Sequence, residues 1–327
     1  MSNIAFPNIH VTAFQHPNDI QAIEALRSVK GLDIVCHKMM ELGYEKISYI
    51  NLIANAIRVT NTHFSKLHNI LCDASKILSI EPPQLFIEKS DELNAYTYGS
   101  ENPFIVLNSA LVENFSEDEI RVAIGHELGH IKCRHVIYSS VARFIKDFAD
   151  FLAGPSMGLA SFLSMGLEFA LFKWERKSEL TSDRAALLVT QDIELCLSVF
   201  MKFMKFPPGI AKEMVLSEFL SQAELYSELD SDILSKIYKI LAVSKKTHPD
   251  WVVRAKELSD WAKSESYKKL LEGNYPTGES NVSAISQEDI KKEIVEKSAP
   301  VIPADIEATK NAAVNMVKGG FKNLFGK

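Results

Sequence analysis

Apolar positions change their spacing along the chain and divide it into a helical layer, a short stranded segment and a second helical run. From Gln21 to about Leu78 they recur at three- and four-residue steps, as in Ile50, Ile53, Ala54 and Ile57, then Phe64, Leu67, Ile70 and Leu71. One face of an α-helix repeats in this way, so this segment predicts helices. After the Pro82-Pro83 break come three short apolar runs, PQLFIEK, LNAYTYG and NPFIVLN, the last two separated by Gly-Ser-Glu-Asn. Their length and turn-forming boundaries predict a small antiparallel sheet of about three strands. The fold class expected is therefore α+β, mainly helical.

The period returns to 3.6 in SEDEIRVAIGHELGHIKCRH, residues 116–135. Ser116 with Glu119 three residues later has the form of a capping box, and Ile120, Ala123, Ile124, Leu128 and Ile131 continue one apolar stripe. A second amphipathic stretch follows with Ile137, Val141, Phe144 and Phe148. Residues 151–172 are almost wholly apolar and long enough to span a bilayer. A single crossing there would put residues 126–130 and 179 on opposite sides, and a partner crossing at 136–153 would contain Arg143, Lys146, Asp147 and Asp150. Two readings stand, a buried hairpin and an element that dips into a membrane surface.

Beyond Trp174 the pattern stays helical to about Leu271, with breaks at FPPG (206–209) and THPD (247–250). Residues 1–20 read as an extended leader, 21–272 as one domain, and 273–327 as a linker followed by a weakly helical tail. In that tail Ile306, Val317, Phe321, Leu324 and Phe325 alternate with lysines, the composition of a helix that adsorbs to a surface or partner.

The length of 327 residues suits one large domain with appendages. A net charge of −6 gives no footprint for nucleic acid. The four cysteines lie far apart, as free thiols in a reducing compartment would, and the N-terminus has no secretory pattern. The expected location is cytoplasmic, with peripheral membrane contact through 151–172 or the tail.

Chemistry enters at GHELGHIKCRH. His130 lies four positions after His126, so both imidazoles can reach one cation from the same helix face. Glu127 is displaced round the helix, too far to join them as a ligand but placed to take a proton from water. A catalytic zinc needs a third protein ligand. Glu179 opens ELTSDRAALL and shares a face with Asp183, so Glu179 can bind the metal while Asp183 accepts a hydrogen bond from a ligand histidine. His135, five residues past His130, is rotated off the ligand face and reads as non-coordinating.

Together NAYTYG (94–99), IGHELGHIKCRHVIY (124–138), WERKSELTSDRAAL (174–187) and, more weakly, THPDWVVR (247–254) resemble the gluzincin zinc metallopeptidases of the CAAX prenyl protease and HtpX family. The chain is most similar to the soluble members, since it lacks their relatives' paired membrane spans, and the likeness covers roughly residues 25–260. The resemblance implies a zincin-like core holding one Zn2+ per chain on His126, His130 and Glu179. It implies Glu127 as general base, Asp183 as orienting carboxylate and a substrate-pairing edge strand at Asn94, Ala95 and Tyr96. It also implies that His248, ahead of Pro249, stabilises an oxyanion. The function expected is a zinc-dependent endopeptidase acting on peptides or unfolded proteins. The alternative is a binding module of the same fold without catalysis, and a third reading has the leader or tail covering the cleft.

Overall fold

The computed structural model of the chain describes residues 3–29, 32, 36, 39, 43–99, 102–147, 157–229 and 250–278. Helices α1 (Pro17–Arg27) and α2 (Tyr44–Asn55) precede strand β1 (Ile57–Val59). Helix α3 (Ser65–Ile77) leads into β2 (Gln84–Glu88), β3 (Ala95–Tyr98) and β4 (Phe104–Asn108). A short α4 (Ser109–Asn114) is followed by α5 (Glu117–Lys132), α6 (Val136–Asp147) and α7 (Met157–Thr190). Then come α8 (Ile193–Phe203), α9 (Pro208–Ala211), α10 (Leu216–Glu228), α11 (Trp251–Lys263) and α12 (Glu265–Leu271). The architecture is α+β and mainly helical, as expected.

The sheet corrects the expectation in number and in sense. It has four strands, in the order β1-β2-β4-β3. It is mixed, because β2 and β4 run parallel while the two outer pairs are antiparallel. The additional strand is only three residues long and falls inside the run read as helical. So short a stretch cannot show the alternation that separates strand from helix. Parallel pairing arises because the chain leaves β2, lays down β3 at the edge, and turns back to place β4 in the middle. All five residues of β4 are buried, which fits FIVLN, a run with no polar face before Asn108. β3 remains an edge strand.

Helix α5 begins as its sequence predicts. The Ser116 hydroxyl accepts from the Glu119 N–H, and the Glu119 carboxylate accepts from the Ser116 N–H. Glu117, Asp118 and Glu119 lie in the first turn, where the exposed N–H groups favour negative charge. Ile120, Ala123, Ile124 and Leu128 are buried in the core with Leu187, Leu188 and Val189 of α7.

Two glycines set the distance between α5 and α7. A Cβ on Gly129 would stand 2.7 Å from the Ala185 Cβ and 2.9 Å from the Ser182 Cα, and one on Gly125 would stand 3.0 Å from the Ala186 Cα. The helices therefore touch backbone to backbone at the level of the histidines, with small residues on the α7 side.

Helix α7 runs unbroken for 34 residues, so the apolar stretch expected as a hairpin has no turn from Met157 onward. Residues 148–156 and the side chains of 143–169 lie outside the described residues, as does the tail from 279. Among the described residues no helix is long and apolar enough to cross a membrane. Ahead of α1 the chain packs inward, with Phe6, Ile9, Val11 and Phe14 buried, and the Phe6 N–H donates to the Ile77 carbonyl at 2.9 Å. The His10 N–H likewise donates to the Pro276 carbonyl at 2.9 Å.

Gly129→Ala would raise the helix propensity of α5 by about 1 kcal/mol, yet overpacking costs about 1–3 kcal/mol. With one clash against backbone, the expected outcome is a net loss of about 1–2 kcal/mol in urea unfolding. A variant more stable than wild type would contradict this packing.

Candidate active site

His126 and His130 lie one turn apart on α5, and their Nε2 atoms are 3.1 Å from each other. From α7, Glu179 brings Oε2 to 3.4 Å from the His126 Nε2 and Oε1 to 3.3 Å from the His130 Nε2. Ligand atoms of the three residues all lie within 4.8 Å of one another, and among the described residues they are the group able to hold a metal ion. Glu179 is buried and both imidazoles are nearly so.

The rear nitrogens decide what the front ones present. The His126 Nδ1 faces the Asp183 Oδ1 at 3.0 Å. A carboxylate only accepts, so when the ring is neutral, as metal binding requires, its proton sits on Nδ1 and the Nε2 lone pair is free for a metal. The His130 Nδ1 is turned away from the group, toward the His135 Nδ1 at 3.1 Å.

Arg254, from the first turn of α11, packs against the group. It donates from Nε to the Asp183 Oδ2 at 2.8 Å, pairs through Nη2 with the other Asp183 oxygen, and reaches the Glu179 Oε2 through Nη1 at 3.1 Å. Its guanidinium lies over the Trp251 and Phe200 rings, 4.5 and 4.9 Å from their centroids. Burial would lower its pKa, but Asp183 and Glu179 outweigh this and hold it raised. Burial likewise would raise Asp183, and Arg254 with His126 keeps it below its ordinary value. Burial pushes His126 down, while Glu179 and Asp183 more than reverse this and bring it to about 10. His130 stays lowered, because burial prevails over Glu179 there. Three carboxylates, Glu127, Glu179 and Asp183, meet one guanidinium, so with neutral histidines the group carries two excess negative charges. Such a set is stable with positive charge at its centre, and an N, N, O donor set of this kind suits zinc.

Glu127 is buried, and the Thr97 hydroxyl of β3 donates to its Oε2. Beside these residues lies a cavity of about 580 Å³. His126, Glu127 and Glu179 form its floor, Asn94 and Ala95 one wall, and Phe200, Phe203 and Trp251 another. The Phe203 and Trp251 rings are stacked, with centroids 5.6 Å apart.

The structure thus brings together His126, Glu127, His130, Glu179 and Asp183 from segments far apart in sequence, with Asn94 and Ala95 on the cavity wall. The Tyr96 phenol donates to the Glu88 Oε2 at 2.9 Å, and Tyr96 also lines a smaller cavity bordered by His126, Glu127, His130 and Glu179. His248 lies outside the described residues. Two contributors were given no role by the sequence reading. Arg254 was legible only as the cation that ends THPDWVVR, and Thr97 as the residue two along from Ala95 on the same strand face.

Comparison with known proteins adds an independent finding. The profile described as Peptidase family M48 matches residues 61–262. "Plastoglobule-localized metallopeptidase 48, chloroplastic" from Arabidopsis thaliana is 34% identical over 270 residues, covering 82% of this chain and 77% of that protein. A "Protease HtpX homolog" from Streptococcus agalactiae serotype Ia is 29% identical over 101 residues, 30% of this chain and 34% of the relative. Another from Thermodesulfovibrio yellowstonii is 27% identical over 127 residues, 36% of this chain and 45% of the relative. The chain therefore matches less than half the length of these two bacterial proteins.

Replacing Arg254 with Met would remove the guanidinium that two buried carboxylates share. The expected loss is about 3–5 kcal/mol in urea unfolding of the metal-free protein. A loss under about 1 kcal/mol would show that Arg254 does not balance the group.

Proposed function

The chain belongs to peptidase family M48 and is a metallopeptidase, and from that premise we propose that it is a zinc-dependent endopeptidase of the HtpX-like kind. In this reading His126, His130 and Glu179 hold one zinc ion per chain, Asp183 orients His126, and Glu127 is the general base. One observation carries the reading. Two imidazole nitrogens and a carboxylate converge within 4.8 Å, in a group that needs positive charge, beside a carboxylate that lines the same cavity.

Zinc bound there would act as a Lewis acid toward the scissile carbonyl and lower the pKa of water towards ~7. Glu127 takes a proton from the attacking water and returns it to the leaving amine, so no covalent intermediate with the protein forms. Thr97 engages the Glu127 Oε2 and leaves Oε1 as the oxygen for that transfer. Arg254 and Asp183 hold Glu179 and His126 in place from behind. Substrate, a peptide or unfolded protein, lies extended along β3 and pairs with the edge at Asn94 and Ala95 through its backbone. The aromatic wall of Phe200, Phe203 and Trp251 receives an apolar side chain next to the scissile bond.

Peripheral contact with a lipid surface is part of the proposal. Its support is the plastoglobule location in the name of the Arabidopsis relative. The tail through which it was expected lies outside the described residues, as do the side chains of 151–169.

The test compares wild type with Glu127→Gln for bound zinc and for cleavage of casein. Both forms are expected to hold about one zinc, while cleavage falls roughly 10²–10⁴-fold in the variant. Chelation should abolish wild-type cleavage, and restored zinc should return it. Undiminished cleavage by Glu127→Gln would remove Glu127 as the base.

A further inference from the structure

His135 is a fully buried imidazole beside the centre that the proposed chemistry does not use. Its position follows from how α5 ends. Arg134 takes a left-handed conformation, φ 56°. The Arg134 N–H then donates to the Ile131 carbonyl at 3.0 Å, and the His135 N–H to the His130 carbonyl at 2.9 Å. This paired closure of a helix C-terminus folds the second residue past the cap back over the third residue before it. Here those residues are His135 and His130, whose ring centroids are 5.2 Å apart. The five-residue spacing that removes His135 from the coordinating face therefore delivers it to the rear nitrogen of His130.

Behind His135 stands Asp19, also fully buried, with Oδ2 3.1 Å from the His135 Nε2. The same oxygen accepts from the Thr181 hydroxyl at 2.7 Å and the Gln15 amide at 3.3 Å. Burial alone would raise the Asp19 pKa, but His135 and these hydrogen bonds hold it below its usual value. Trp174 meets the His135 ring edge to face at 5.6 Å and fixes its plane.

With both imidazoles neutral and a cation at the centre, proton counting along this line has one consistent solution. A neutral imidazole carries one N–H, and the Asp19 carboxylate can only accept. The His135 proton therefore sits on Nε2 and its Nδ1 is an acceptor. The His130 proton must then sit on Nδ1, and the His130 Nε2 presents its lone pair to Glu179 and His126. Reversing the His135 tautomer would set a lone pair against the buried carboxylate. It would also drive the His130 proton onto Nε2, into the middle of the donor set.

We propose that Asp19 and His135 are positioning residues for the metal centre: a buried carboxylate–imidazole relay that fixes the tautomer and ring direction of His130. The inference rests on the reading of His126, His130 and Glu179 as the metal ligands. It makes the two ligand histidines unequal, since His126 is held by Asp183 directly and His130 through an intermediary. It also gives part of the metal site to residues 1–20, because Gln15 and Asp19 both lie in that segment. Deleting the segment would weaken the site rather than uncover it.

The test measures zinc affinity of the full chain by competition with a chromophoric chelator, alongside the unfolding transition of each metal-free protein. His135→Leu is expected to weaken zinc about 10–100-fold. Because that change strands the Asp19 charge, Asp19→Leu/His135→Phe serves as the second variant: it removes charge and partner together, keeps an aromatic ring against Trp174, and is expected to show the same weakening. His135→Gln, whose amide can donate to Asp19 and accept from His130, should recover most of the affinity, which a purely space-filling role would not allow. A folded double variant that binds zinc as tightly as wild type overturns this inference alone. Wild type that binds no zinc overturns the metal-site reading and this inference with it.

Discussion

The approach of α5 to α7 at Gly125 and Gly129 is the contact on which the site depends. Glu179 can reach two imidazoles on another helix only if the helix axes lie close, and any Cβ at Gly129 would stand 2.7 Å from the Ala185 side chain. Of the residues opposite the glycines, Ser182, Ala185 and Ala186 are small, and Val189 would stand 3.0 Å from a Cβ on Gly125. One helix thus supplies both histidines and the proposed base, and the other supplies the carboxylate and Asp183.

Close packing creates an electrostatic problem that the surroundings solve. Carboxylates buried beside one another are costly unless they meet opposite charge. Arg254 supplies one positive charge from α11, and a divalent cation in the centre would supply the rest. Each histidine is meanwhile held from behind, His126 by Asp183 and His130 through His135 and Asp19. Helices α1, α5, α7 and α11 are therefore tied together through polar side chains at the same place where the core is formed. Stability and chemistry draw on one set of contacts, and the edge strand β3 joins them through Thr97.

Much of this was legible in the sequence because helical periodicity is strong over long segments. The capping box at Ser116 and Glu119, the pairing of His126 with His130 on one face, and the shared face of Glu179 and Asp183 all follow from a 3.6-residue repeat. Short elements were less legible. Ile57–Val59 is too brief to announce a strand, and the order of strands in a sheet is a long-range property that three similar apolar runs do not encode. Asp19 was out of reach for another reason. It sits two residues past a proline in a stretch without period, and its partners His135 and Thr181 are more than a hundred residues away. Arg254 carries the same lesson: a buried cation declares itself only once the carboxylates it faces are in place.

The central claim is that one zinc ion is held by two imidazoles and one carboxylate. X-ray absorption at the zinc edge on the full chain loaded with zinc tests it most directly. The account predicts two imidazole nitrogens at about 2.0–2.1 Å and oxygen ligands at about 2.0–2.2 Å, without sulfur. A shell containing sulfur at about 2.3 Å, or one lacking imidazole, would contradict it.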